Sequence, residues 1–283
     1  MEREVLKNAV IAHCKKLQNR SLGGRKVKLI ISPSEKVWEE LENGSGNAKE
    51  EVLFADSSTA LEVNYFSLYA ETHQSCEIEY EWNKDSPLKI GGNSNLDIMV
   101  KEGDVIKFYE SKFLEPYYMA NSKFTDSYRD CNNYKIDQEN AKNFIGYLDK
   151  VESNFKYYNV SQLLRHLLAI VNHICANPSD YKNIKEVHLI SICWKMPDSF
   201  ITEIEKKTSK RSVSYLKKRK ESLAKEKEES QHIINEIIAK IFQPIIKGVS
   251  PVRLIYRTDS YNDAIKDIEK SEHVNTFKEQ YYL

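Results

Sequence analysis

Three residues near the middle of the chain have the types and spacing for phosphoryl chemistry: Asp97 in N-L-D-I-M-V, and Glu110 and Lys112 in Y-E-S-K-F. Residues 95–100 and 105–113 read as two strands joined through Lys101-Glu102-Gly103-Asp104, where glycine supplies the positive φ of a tight hairpin. With Glu102-Gly103 as the two central turn residues, Lys101 pairs with Asp104, Asp97 lies opposite Phe108, and Glu110 is its diagonal neighbour, about 7–8 Å away. Strand alternation places Glu110 and Lys112 on one face. Ile106 and Phe108 share that face, which implies that it is covered and that unpaired charge on it is costly. Two carboxylates aimed at one point repel unless a cation lies between them, and hard oxygen donors suit Mg²⁺, which keeps waters and accepts phosphate oxygens. A neighbouring lysine can hold an attacking water or stabilise charge developing on a phosphate. The implied chemistry is phosphodiester hydrolysis. The competing structural reading is a solvated sheet face with a cross-strand ion pair worth about 0.2–1 kcal/mol.

The elements that must position these residues follow from periodicity. A helix is expected over residues 2–18, stopped by Ser21-Leu22-Gly23-Gly24, and Asn43 to Asn47 reads as a loop. Ser57 or Ser58 caps a helix to about Ala70, and Cys76 to Glu81 alternates as a half-exposed strand. A helix is expected near 137–151. Residues 161–176, rich in Leu and Ile around most of the circumference, form a core helix ended by Asn177-Pro178. Val187 to Trp194 has the continuous apolar character of a strand covered on both faces. A long charged helical stretch, about 198–246, then precedes a strand over 252–256 and a helix from about Ser260. No internal repeat is present.

On these residues the chain resembles the PD-(D/E)XK, or restriction-endonuclease-like, nuclease superfamily. The run G-G-N-S-N-L-D-I-M-V is followed, thirteen residues after Asp97, by E-S-K. The superfamily's α-β-β-β-α-β core is matched by segments at about 58–70, 77–81, 95–100, 105–113, 160–176 and 187–194, roughly half the chain. Leu96 stands where the motif often has proline. The resemblance implies an α/β fold, with a central mixed sheet flanked by helices and helical additions at both ends. It implies one domain over 1–283: a core at about 57–195, an N-terminal extension over 1–56 and C-terminal additions over 196–283. It also implies that Asp97 and Glu110 bind a divalent ion, Mg²⁺ with Mn²⁺ as substitute, that the Ser111 carbonyl completes the ligand set, and that Lys112 orients the water. Many members carry Gln on the following helix, often as Q-x-x-x-Y; here Gln162 begins Q-x-x-x-H, with His166 on the same helix face. For the acidic residue often supplied by the first helix, Glu62 is the natural candidate and Glu71 the poorer one. The implied activity is a DNA nuclease, in a restriction or defence setting. The alternatives are a nuclease acting on RNA, or a non-catalytic relative that keeps the fold as a binding or scaffolding module. Cutting both strands of a duplex would favour a homodimer. Alanine at Asp97 or Lys112 is expected to abolish cleavage while leaving folding intact.

Composition narrows the rest. The 283 residues carry 42 Lys and Arg against 42 Asp and Glu, so no global field advertises a nucleic-acid or membrane partner. The distribution is uneven: residues 35–85 hold thirteen acidic and three basic residues, and residues 205–229 ten basic and five acidic. Within the latter, Lys217-Lys218-Arg219-Lys220 reads either as a contact to nucleic-acid phosphates or as a solvated helix face. Tyr117, Tyr118 and Tyr128 are candidates to stack on bases. Five scattered cysteines without C-x-x-C argue against a disulfide framework or structural zinc. Among seven histidines no H-E-x-x-H occurs, and no G-x-x-x-x-G-K-[ST] is present. No apolar run long enough for a membrane span and no secretory leader is seen, so a cytoplasmic protein is expected.

Overall fold

The computed structural model describes residues 2–17, 26, 29–43 and 48–283. The expected stop at Ser21 to Gly24 and most of the loop at 43–47 lie outside them. Eleven helices are described: α1 (Glu2–Leu17), α2 (Glu35–Asn43), α3 (Ala48–Glu51), α4 (Ser58–Thr72), α5 (Gln138–Asn154), α6 (Val160–Ala176), α7 (Asp198–Glu205), α8 (Lys210–Ile237), α9 (Gln243–Lys247), α10 (Tyr261–Ala264) and α11 (Val274–Tyr281). They surround five strands: β1 (Glu77–Trp82), β2 (Leu96–Glu102), β3 (Val105–Lys112), β4 (Glu186–Cys193) and β5 (Arg253–Ser260). Among the described residues no helix is long and apolar enough to cross a membrane.

The sheet runs β1-β2-β3-β4-β5, with β2 antiparallel to both neighbours and β3, β4 and β5 mutually parallel. The architecture is therefore α/β, a mixed five-stranded sheet flanked by helices. Alternation sends Phe108 and Tyr109 to opposite faces. Tyr109 meets Phe66 of α4 at 4.9 Å between ring centroids, and Phe108 meets Trp82, which in turn meets His173 of α6. Helix α4 thus covers one face and α6 the other, and β3 and β4, with buried residues on both sides, lie at the centre of the core. The outer edge of β1 packs against α2, whose Glu40 accepts the Tyr80 N–H at 3.0 Å and so occupies that edge position of the ladder.

Local chemistry sets the helix starts. Ser57 caps α4 by accepting from Thr59 N–H, Asp137 caps α5, and Asn159 caps α6. The charged stretch expected as one helix over 198–246 is broken after Glu205; Ser209 restarts it as α8 by accepting from Ser212 N–H. Thr208 and Ser209 explain the break, because short polar side chains bond the local backbone more readily at a cap than inside a helix. A π-helical turn over Ile238–Phe242 then leads into α9.

The hairpin register differs from the expected one. Glu102 pairs with Val105, Lys101 with Ile106 and Met99 with Phe108, so Gly103-Asp104 are the central turn residues. Gly103, at φ +58°, holds the first central position, not the second. The shift is two residues along the ladder, which preserves faces, and it brings Asp97 level with Glu110 rather than Phe108. The same counting on β1, where Tyr80 pairs with Ile98 and Trp82 with Leu96, sets Glu81 level with Asp97.

Candidate functional site

The carboxylates gather at the end of the sheet where β3 and β4 finish. Glu110 is 1% exposed; its Oε1 takes an ion pair from Lys112 Nζ, and its Oε2 lies 2.8 Å from His166 Nε2 on α6. Among the described residues neither Glu110 Oε2 nor His166 Nε2 has an aligned hydrogen bond, although both are buried. The other imidazole nitrogen, Nδ1, is 2.6 Å from Ser94 Oγ, which fixes the ring. Asp97 Oδ2 accepts the backbone N–H of Ser111 at 2.6 Å. A strand residue directs its N–H and C=O to the same side, so the Ser111 carbonyl also faces β2 and Asp97. The Ser111 hydroxyl is engaged elsewhere, 2.8 Å from Tyr261 OH.

Charge is unevenly relieved within this group. Burial alone would raise the Glu110 carboxyl, but Lys112 and His166 beside it pull it down to about 2. Lys112 loses hydration, yet Glu110, Asp97 and Glu115 hold its ammonium more firmly protonated than an ordinary lysine. Asp97 goes the other way: burial and the charges of Glu110 and Glu81 raise it well above the carboxylate range, against Lys112 and the Ser111 N–H. Glu62, 2% exposed on α4, is raised by burial and by Asp97, Glu81 and Glu110. One lysine neutralises one carboxylate, and the carboxyls of the other two are raised.

A cleft of about 250 Å³ opens beside this group, lined by Glu110, Lys112, Ser191, Gln162 and residues of the 115–120 and 157–159 segments. Gln162 occupies the first turn of α6, where its N–H bonds the Asn159 cap and its Oε1 accepts from Asn159 Nδ2 at 2.9 Å. Residues widely separated in the chain, on α4, β2, β3 and α6, therefore converge: Glu62, Asp97, Glu110, Ser111, Lys112, Gln162 and His166. Among the described residues, no three His, Cys, Asp or Glu side chains form a ready metal-holding group.

Other expected sites separate. In Lys217-Lys218-Arg219-Lys220 only the first two are exposed. Arg219 is internal: Nε donates to Pro116 O, Nη1 to Tyr215 OH, and the guanidinium lies 4.5 Å over Tyr157. Lys220 pairs with Asp198 at 2.8 Å. The run is thus not one phosphate-facing patch, because helical spacing turns position 219 inward. Tyr117 is buried and donates to Trp194 O, and Tyr128 is buried, so neither is available to stack on bases. Glu71 is engaged by Ser271 Oγ at 2.9 Å, away from the cluster. His173 bonds Tyr181 OH within helix packing.

Three contributors were not legible in the sequence. Glu81 sits mid-strand at φ +52°, a left-handed conformation that costs a non-glycine residue of order 1–3 kcal/mol. Its alternating context, E-I-E-Y-E-W, signals only an outward charge. Ser191 is level with Glu110 in the parallel β3–β4 ladder, a pairing no local pattern announces. Tyr157 lines the cleft from the α5–α6 connection. Compared with family models, with curated proteins and with solved structures, the chain matches none.

Proposed function

We propose that the chain is a PD-(D/E)XK-type, restriction-endonuclease-like hydrolase that uses Mg²⁺ to cleave DNA phosphodiester bonds. The observation that carries this reading is the pairing of buried Glu110 with half-buried Lys112 on the lining of a cleft, beside the carboxyls of Asp97 and Glu62, which burial and then neighbouring negative charge raise well above the ordinary carboxylate range. The order α4-β1-β2-β3-α6-β4, with E-x-K at the end of the third strand, supports it.

The donor set fits a divalent ion. Crowded carboxyls raised by burial and by one another's charge, and a buried Glu110 oxygen without an aligned partner among the described residues, are what a hard cation relieves. Asp97, Glu110 and the Ser111 carbonyl would hold Mg²⁺, with Glu62 behind them; two carboxylates suffice, since Mg²⁺ retains waters and takes phosphate oxygens. When bound, the ion supplies Lewis-acid polarisation of the phosphate and a more acidic water. The chain's residues do the rest. Lys112, firmly protonated, acts as a donor that orients water and stabilises charge on the phosphoryl oxygens, not as a base. Gln162 offers its amide to the phosphate or water from the rigid first turn of α6, and His166 holds Glu110 in place.

Incubation with plasmid, single-stranded DNA and RNA under Mn²⁺ tests the activity: wild type is expected to cleave DNA and Asp97→Asn to be inactive. Equal cleavage by the two proteins defeats the assignment, and preferential cutting of RNA redirects it to that substrate. That no ready three-residue ligand group occurs among the described residues favours a second reading, a non-catalytic binding module. Mg²⁺ or Mn²⁺ should raise the melting temperature of the wild type but not of Asp97→Ala; no shift in either favours the module.

A further inference from the structure

We infer that the cleft beside Glu110 and Lys112 is a subsite for one unstacked nucleobase, so that the chain acts on single-stranded or frayed nucleic acid rather than on intact duplex. The inference rests on reading the site as a phosphodiester hydrolase. The lining has two chemistries. Glu110, Lys112 and Gln162 are polar, whereas Pro116, Met119, Tyr157 and Leu163 present apolar and aromatic surface. A nucleotide carries the same two, a charged phosphate and a flat base with apolar faces. At about 250 Å³ the space lies just below the ≈300–1,000 Å³ of pockets for drug-sized ligands, which leaves room for one base and not for a stacked pair. A base within a duplex shows its faces only to its neighbours; one that meets a protein ring must leave the stack.

The aromatic wall is rigidly built from α8. Glu226 accepts the backbone N–H groups of Lys156, Tyr157 and Tyr158 at 3.2, 2.9 and 2.8 Å, which fixes the connection that presents Tyr157. Arg219, which does not line the cleft, lies over the Tyr157 ring and ties it to the opposite lip by donating to Pro116 O. Arg219 and Glu226 are both buried, at 4% and 8% exposure, and Arg219 Nη2 has no hydrogen-bond partner among the described residues. Burying charges is costly; here two of them fix one tyrosine and both rims of one cleft, the preorganisation a stacking site needs. Gln162 Nε2 makes no hydrogen bond among the described residues and leaves a donor in the same space.

The test is calorimetric binding of thymidine and adenosine monophosphates against 2-deoxyribose 5-phosphate to the full chain. Stacking is worth about 1–3 kcal/mol per base, so the nucleotides should bind roughly 5- to 150-fold tighter than the baseless sugar phosphate. Tyr157→Ala should erase the difference and Tyr157→Trp retain it, which separates stacking from misfolding. Equal affinity of nucleotide and sugar phosphate for the wild type overturns the subsite, whether or not the protein cleaves. In a second arm, a single-stranded circle should be cut faster than a closed duplex circle under Mn²⁺. Equal rates overturn the subsite while leaving the hydrolase reading; base-selective binding with no cleavage of either circle sinks the hydrolase reading alone.

Discussion

At Glu110 one carboxylate is stabilised by partners that its neighbours lack. Its carboxyl titrates near 2 because Lys112 and His166 outweigh the burial penalty. That contribution to stability is present above the ordinary carboxylate range and is lost as pH falls toward 2. Removing Lys112 leaves the buried Glu110 charge with His166 as its remaining partner. Lys112→Met is therefore expected to cost about 3–5 kcal/mol in urea unfolding at neutral pH, with much of the loss recovered by adding Glu110→Leu. This corrects the expectation that alanine at Lys112 leaves folding intact; Asp97→Asn is the cleaner probe. Glu62 behaves oppositely. Its folded carboxyl is raised, so between the unfolded value and the folded one the native state keeps a proton that the unfolded chain has released, and stability falls as pH rises. Glu62→Gln should match wild type near pH 4 and become progressively more stable above it, by up to about 1.4 kcal/mol per pH unit. Parallel melting curves for the two proteins would contradict the shift.

Among the elements, the β2–β3 hairpin matters most, because its turn decides which residues are level. Gly103 at φ +58° has open space where a Cβ would stand, so the cost of a side chain there is conformational and not steric. Gly103→Ala should destabilise by about 1 kcal/mol, read as a lower denaturation midpoint at unchanged slope. A midpoint equal to wild type would show that the turn relaxes. The 156–158 connection depends on α8 in the same way. Glu226→Ala removes the acceptor of three N–H groups and should cost about 3 kcal/mol, with faster amide exchange at Tyr157 and Tyr158 in the variant than in the wild type.

For the whole molecule, zero net charge conceals opposed regions, but folding redistributes them. Of the four-residue basic run, Lys217 and Lys218 alone remain exposed on α8, so any phosphate contact there involves at most two charges. Lys217→Glu with Lys218→Glu should flatten the dependence of DNA affinity on log salt by about two counterions, roughly −0.9 each in slope. An unchanged slope would remove these two lysines from the interface. Arg219 in the same run acts inside the protein, and its replacement should alter stability rather than salt dependence.

Periodicity and turn chemistry made most of the fold legible: α4, the three strands from Glu77 to Lys112, α6 and β4 lie within a few residues of where their patterns put them. Those signals are local, since a cap, an alternation or a glycine acts on residues two to four positions away. Asp97, Glu110 and Lys112 were legible for the same reason, because a hairpin joins neighbours in sequence. Only tertiary structure decided that Asp97 faces Glu110 rather than Phe108, because a two-residue slip preserves every face and leaves the hydrophobic pattern indifferent. Packing at long range also brought Glu62 and His166 to the carboxylates, turned Arg219 inward and set Tyr157 on the cleft wall. Those positions follow from how buried charges find partners once the helices close on the sheet, and no single segment of the chain carries that information.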